Sequence, residues 1–405
     1  MIGHTSPQKL WNIGFIFLIF INLINASSFG MTMPITPGYI VSMGATLAYA
    51  GLITGIISFV ALFTRPVAGF IGDRLNKKWL LAASTFFMGL VMISYALLPG
   101  VAWLVPIRIF HGIFFSISGT LSFALGAHYI PENRIGEGVG FLGVGQVIGR
   151  AIGPVAGIYL AENYSYAFSF TVSGIVLAAA GLSIIALGYD HSVSAPPASI
   201  TPAAADKPAR ASFRFNDLVA MALLPNAFFA GLLVLSNGVT NSYLVMLGAE
   251  RNISNIGLFF IVNSIVLFVS RPVLGKLADN KGAVYTIVPG FILTAAAMAV
   301  VALSHTLWLV LISSFLLALG GGALPAIQAD CLKMLPRERK SLAMGTYFIG
   351  LDIGMGIGQI FGGISIAYLG FTLTFSTVGA ITLAGLGFYL LYWRRRNERQ
   401  NRLPS

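Results

Sequence analysis

Cysteine is nearly missing from this chain. Cys331 stands alone among 405 residues, so no internal disulfide can form and no cysteine cluster can hold a metal. Charge is scarce too. Asp, Glu, Lys and Arg make up 9% of the residues, where a soluble domain carries roughly 25%. That leaves too little polar surface to cover a soluble body of this length. Acid is scarcer than base, with 13 Asp and Glu against 24 Lys and Arg. No G-x-x-x-x-G-K-[ST] run is present, which argues against ATP-driven work. No His-Glu-x-x-His pair and no Cys/His group is present, and nothing forms a catalytic constellation. The expectation is therefore no enzyme, no cofactor and no metal.

What the chain has in quantity is apolar sequence, 57% of its residues. Twelve apolar runs can be marked: 11–33, 47–70, 79–98, 101–128, 134–160 and 166–188, then 218–247, 253–276, 284–303, 306–330, 339–368 and 371–393. Each is near or above the ~20 residues a helix needs to cross the hydrocarbon core. The pattern predicts an all-α membrane protein of twelve transmembrane helices in two pseudo-symmetric six-helix bundles. The first run shows no cleavage site after a short apolar core and reads as a retained helix. Between the sixth and seventh runs lie Pro196, Pro197, Pro202 and Pro208 among Ala and Ser. This stretch cannot be a helix and reads as a linker. The expected division is a bundle over 1–188, a cytoplasmic linker over 189–217, and a bundle with a basic tail over 218–405.

The net charge of +11 does not point to nucleic acid. With the N-terminus inside, 19 of the 24 Lys and Arg lie in cytoplasmic segments, as the positive-inside rule requires. Both termini and the linker are expected on the cytoplasmic side of a cell (plasma or inner) membrane. All five tryptophans (Trp11, Trp79, Trp103, Trp308, Trp393) stand at ends of the proposed spans, where indole prefers the interface.

The halves repeat each other about 205 positions apart. Thr64-Arg65-Pro66-Val67-Ala68-Gly69 with Asp73 returns as Ser270-Arg271-Pro272-Val273-Leu274-Gly275 with Asp279. Gly140, Gly145, Gly149, Gly153 and Gly157 return as Gly345, Gly350, Gly354, Gly358 and Gly362. Two similar membrane halves are how many transporters build a path that opens to either side.

Four segments carry a family resemblance. Gly69-Phe-Ile-Gly72-Asp73-Arg74-Leu-Asn76-Lys77-Lys78 resembles the loop motif of the major facilitator superfamily, with Asn76 where a glycine is common. Arg108-Ile-Phe-His111-Gly112 is similar to its Arg-x-x-Gln-Gly motif, with His for Gln. Gly140, Gly149, Gly153-Pro154 and Gly157 resemble the antiporter signature of the fifth span, which departs only at Ile158. Met33-Pro34-Ile35-Thr36-Pro37 resembles the Pro-x-x-Pro element of twelve-span drug:proton antiporters. The resemblance covers the whole chain. It implies proton-coupled export of a small organic molecule by rocking bundles, from a monomer whose partners are substrate, protons and the lipid bilayer. It further implies that Asp73 latches the halves on the inside face, with Gly69, Arg74 and the weaker copy at Asp279, and that Arg108 takes part in proton coupling. Proton-driven uptake and a non-transporting receptor or scaffold are the alternatives.

Residue chemistry narrows the candidates. Asp352 is the one acid deep in a span, where a charge costs at least ~2.5–3.5 kcal/mol. Burial penalises the charged form of a carboxyl, so Asp352 is a candidate proton carrier, or else half of a structural ion pair. Met355 and Gln359 share its helix face, and Asp352 with Gln359 is expected to look into a cavity. The four-residue glycine stripe of span 11 lies largely on the opposite face. Its counterpart in span 5 is either plain helix packing or a bendable contact between halves, with Pro154 favouring a bend. Arg108 and Arg150 are deep cations, and Gln146 shares a face with Arg150. His111, three residues from Arg108, is a second relay candidate because histidine titrates near neutrality. Asn22, Asn25, Asn237, Asn241 and Asn263 either line a substrate path or bond between helices. Arg108 and Arg150 keep an anion or zwitterion in play beside lipophilic drugs as substrate.

Overall fold

The computed structural model describes residues 10–98, 100–131, 134–187, 219–336 and 339–401. The linker expected over 189–217 lies outside the described residues, as does the end of the basic tail. Thirteen α-helices make up the described chain: α1 (Ile13–Thr32), α2 (Thr36–Ser42), α3 (Leu47–Arg74), α4 (Lys77–Leu97), α5 (Val101–His128), α6 (Ile135–Asn163), α7 (Tyr166–Ile185), α8 (Leu224–Glu250), α9 (Leu258–Lys281), α10 (Val284–Leu303), α11 (Leu307–Gly320), α12 (Ala323–Met334) and α13 (Lys340–Asn401). No strand occurs among the described residues. Eleven stretches are long and apolar enough to cross a membrane, the last running from Leu342 to Arg396. That last one is not continuous. Gly370 sits at φ 76° and ψ 174°, which only glycine adopts without strain, and the chain turns there.

Local sequence explains where helices start and break. Asn12, Thr46, Asn76 and Ser165 each accept a backbone N–H of the first turn of α1, α3, α4 and α7. Asn76 thus has a use where the superfamily loop commonly has glycine: its Oδ1 takes the amides of Lys78 and Trp79. Pro34 separates α1 from α2, Pro37 sits in the first turn of α2, and Gly321–Gly322 part α11 from α12 within one apolar run. Arg251, in the connection between α8 and α9, donates to the carbonyls of Val301, Ala302 and Ser304 at 3.3, 2.9 and 2.5 Å. It satisfies the orphan acceptors at the end of α10.

In lipid, apolar side chains gain little by leaving one apolar medium for another, so close backbone approach has to hold helices together. The glycine stripes supply it. A Cβ on Gly145, Gly153 or Gly157 would overlap the carbonyl oxygen of Ile19, Ser27 or Met31 on α1. On α13, Gly350, Gly354 and Gly358 face Ala227, Gly231 and Leu235 of α8 in the same way. This corrects the idea of a bendable contact between halves. Gly149, Gly153 and Gly157 bind α6 to α1 inside the first half, because their bare face meets the backbone of α1. The α13 stripe binds α8 inside the second half.

Helices before residue 187 pack chiefly on one another, and those after 219 do likewise. The two sets meet where α3 lies on α13, α6 on α9 and α2 on α8. The seam is tight at one end. Gly51 approaches Gly363 so closely that a Cβ would come within 2.9 Å of its Cα, and Gly257 lies on Val155 and Ile158. At the other end, a Cβ on Gly69, Gly143, Gly275 or Gly345 would meet nothing within 4 Å. The halves part toward the ends that carry Arg74 and Asp279.

Candidate functional site

Asp352 lies on the face of α13 turned to the other half. The Nε of Arg65 donates to its Oδ2 at 2.8 Å and the Nη2 to its Oδ1 at 3.3 Å, a bidentate pair across the seam. Their side chains are 13% and 31% exposed, so the pair is shielded from water but within its reach. Phe348, one helical turn earlier on α13, carries the Arg65 guanidinium over its ring at 5.6 Å from the centroid.

Farther along the same face, Gln359 was expected to line a cavity beside Asp352. It is instead fully buried in the closed part of the seam. Ser58 on α3 donates to its Oε1 at 3.4 Å, its Nε2 points to the sulfur of Met33, and Tyr243 donates to its backbone carbonyl at 2.7 Å. The side chain is spent on Ser58 of α3 and on Met33 just past α1, while the backbone carbonyl takes the bond from α8. Ring and amide packing close this end where glycines let the helices approach.

Two more arginines lie mid-span beside the pair. Arg150 on α6 and Arg271 on α9 are both exposed, although both sit in the middle of their helices. Arg150 lies within electrostatic reach of Arg271 and Arg65. Neither Arg150 nor Arg271 has a hydrogen-bond or ion-pair partner among the described residues. Gln146, one turn before Arg150, is partly exposed.

Arg108 and His111 form a separate cluster. Both are fully buried within the first half. The Arg108 guanidinium lies over the ring of Tyr95 at 5.3 Å, and the Tyr95 hydroxyl is 3.3 Å from His111 Nδ1. The three guanidinium nitrogens and His111 Nε2 have no hydrogen-bond partner. Among the described residues, no hydrogen bond or ion pair joins this cluster to Asp352.

The asparagines divide. Asn22 and Asn25 accept from Ser122 and Ser118 of α5 at 2.8 and 3.2 Å and so pin α1 to α5. Asn263 donates to the carbonyl of Ser314 at 3.3 Å, joining α9 to α11. Asn237 bonds back to Leu233 of its own helix, and Asn241 is half-buried. Three of the five therefore bond between helices.

At the parted end, Arg74 stacks over Phe70 at 3.5 Å and Asp279 lies 4.0 Å from Lys333, both exposed. Gly69 has free space around it, and Asp73 falls in the last turn of α3. A further acid, Asp330, is held by Arg396 at 2.6 Å and by Asn226 at 2.8 Å. It ties the ends of α12, α8 and α13 within the second half. The residues missed from sequence are Arg65 and Arg271. Their signal was present, as the matching cations of the repeated Arg-Pro segments.

Apolar helices meeting along a seam that parts at one end, with ionisable groups at its middle, are the architecture of a multi-pass membrane transporter. The model of the Major Facilitator Superfamily matches residues 18–279 and 227–405, and the chain belongs to that family. It is a transporter, not an enzyme. An uncharacterised transporter of the family from Methanocaldococcus jannaschii is 26% identical, covering 82% of this chain and 85% of its own. A multi-drug resistance efflux pump PmrA homolog from Lactococcus lactis is 27% identical, covering 85% and 86%. Among solved structures, a bacterial homolog of the human lysosomal transporter Spinster, in an inward-facing and occupied conformation, superposes with TM-score 0.75. It is 12% identical and covers 96% of this chain and 98% of that one, which shows a shared fold.

Proposed function

We propose that this protein exports a small organic molecule in exchange for protons, by alternating access. In this reading, residues 1–188 and 218–405 are two pseudo-symmetric six-helix bundles, with the last long stretch divided at Gly370 to give twelve spans. The linker over 189–217 and both termini are cytoplasmic, and the protein works as a monomer in the cell membrane. The parted end is then the cytoplasmic one, and the structure stands in an inward-facing state. The relatives named as multidrug efflux pumps support export.

The observation that carries the reading is the Arg65–Asp352 pair across the seam. A proton and Arg65 compete for one carboxylate. Protonating Asp352 removes the acceptor charge that holds α3 to α13 and frees the bundles to rock. In the cycle, Asp352 takes a proton from outside as substrate leaves. The protein turns inward, the proton passes to the cytoplasm, and Arg65 recaptures the carboxylate while new substrate binds. The rigid α6–α1 and α13–α8 pairs move as units. Gly69, Asp73 and Arg74 approach the second half again when the cytoplasmic ends close, with Asp279 as the repeat-related counterpart. Arg108 and His111, buried with unfilled donors, are the candidates for a second proton step.

The test is flux in proteoliposomes under an imposed proton gradient, with a lipophilic cation dye and a panel of amphipathic zwitterions and anions. Gradient-driven movement in wild type that Asp352→Asn abolishes supports the proposal. Movement of no compound by folded protein contradicts it.

A further inference from the structure

The sequence repeat predicts a symmetric pair of sites, and the structure breaks the symmetry. Arg65 on α3 faces α13, where Asp352 answers it. Its copy, Arg271 on α9, belongs to the second crossing, where α9 packs on α6. The repeat offset carries Asp352 back to Val147 on α6, so this crossing has no acid at the matching position. One turn onward, α6 places a further cation, Arg150.

One crossing is thus neutral and the other carries two unanswered positive charges. Arg150 and Arg271 both keep exposed surface at mid-span, on opposite sides of the seam. The hydroxyl-bearing Tyr347 of α13 lies within electrostatic reach of Arg271. Unpaired charge in a membrane interior is expensive and persists where it serves a pathway. Two guanidinium groups without internal acceptors offer paired N–H donors that suit the oxygens of a carboxylate or phosphate.

We propose that Arg150 and Arg271 form an anion-binding site between the halves, and that the transported molecule carries a carboxylate or phosphate group seated there. The inference rests on the transport reading above and narrows its substrate class. An anion bridging α6 and α9 contacts both halves at once, so its arrival and departure bear on the same seam as the Arg65–Asp352 pair. A cationic drug finds two like charges at this place and no free acid, since Asp352 is already engaged.

The experiment uses the full chain in nanodiscs of phosphatidylcholine and a set of ligands with one apolar body: naphthylacetate, naphthyl phosphate, naphthylmethylammonium and naphthylmethanol. Ligand-induced shifts of thermal unfolding give apparent affinities. The expected result is binding by the two anions, with the ammonium and neutral members at least about tenfold weaker. Arg150→Gln and Arg271→Gln each weaken anion binding about tenfold, whereas Arg150→Lys and Arg271→Lys, which keep the charge, retain part of it. Unliganded melts confirm that each variant folds. Anion binding that survives Arg150→Gln/Arg271→Gln, or preference for the ammonium, overturns the proposal. So does loss of naphthyl phosphate binding in discs containing phosphatidylglycerol, which assigns the site to a lipid headgroup. Proton-driven flux separates the two readings. Export of a cation dye with no anion binding sinks the anion site alone, and anion binding without gradient-driven flux sinks proton-coupled export alone.

Discussion

Asp352→Asn should shift the protein away from the state described here, by an amount the geometry sets. The Arg65 guanidinium and the Asp352 carboxylate form two hydrogen bonds, at 2.8 and 3.3 Å. Charges about 4 Å apart at an effective dielectric near 20 attract by ~4 kcal/mol before desolvation is subtracted. Removing one partner of a buried pair typically costs about 3–5 kcal/mol, because the other charge is stranded. Arg65 keeps 31% exposure and can draw in water, so about 2–3 kcal/mol is the better figure here. If the pair exists only while the seam is closed at the far end, its loss changes the ratio of the two states by roughly 30- to 150-fold. Spin labels at Leu75 and Lys281, both exposed and on opposite halves, would report this as a distance distribution. The buried Cys331 would be replaced by serine first. The distribution should move toward shorter distances in Asp352→Asn and in Arg65→Gln, and the double variant should add little to either single one. Unchanged distributions, or effects of the two variants that simply add, would refute the argument.

Four further variants test single positions. Gly149→Ala should destabilise by about 1–3 kcal/mol, since its Cβ would stand 2.6 Å from the carbonyl oxygen of Leu23 and force α6 off α1; detergent unfolding of the purified protein measures it. Gly345→Ala, with nothing within 4 Å, should be neutral or stabilising by about 0.5–1 kcal/mol in the same assay. Arg108→Met should leave stability unchanged or raised, because it replaces a buried, unpartnered charge by an apolar chain, while abolishing gradient-driven flux. His128, the last residue of α5, lies two residues past the membrane-crossing stretch Val101–Gly126 and is held below the ordinary histidine value of 6.5 by burial and then by Lys77. Its contribution is therefore complete above about pH 6.5 and lost as pH falls below it, because the unfolded chain takes up the proton more readily. His128→Gln should flatten that decline in a melt measured against pH.

Much of the architecture was legible because lipid imposes it. A span must be apolar and long, and basic residues and tryptophans mark its ends, so runs such as 47–70 and 284–303 reappear as α3 and α10. The repeat also showed which glycines matter. It did not show what they touch: a bare stripe announces close approach, but not whether the neighbour is α1 or a helix of the other half. Asp352 stood out because an acid at mid-span is costly. Its partner Arg65 lies 287 positions away, a distance over which spacing says nothing. Gln359 departs from its expected place for a related reason. Helical periodicity correctly puts it on one face with Asp352, yet that face runs from the open middle of the seam into its sealed end. The unanswered Arg271 was visible only as half of a repeat, and its lack of an acid became clear once α6 was seen beside α9.

In the proposed cycle Asp352 couples protons to substrate. The most direct measurement follows protons and substrate together in proteoliposomes, using an internal pH-sensitive dye beside labelled substrate. Wild type should move protons against substrate under net flux. Asp352→Asn should lose that proton movement and net gradient-driven transport, yet still exchange labelled for unlabelled substrate across the bilayer. Undiminished proton-coupled flux in Asp352→Asn would contradict the account.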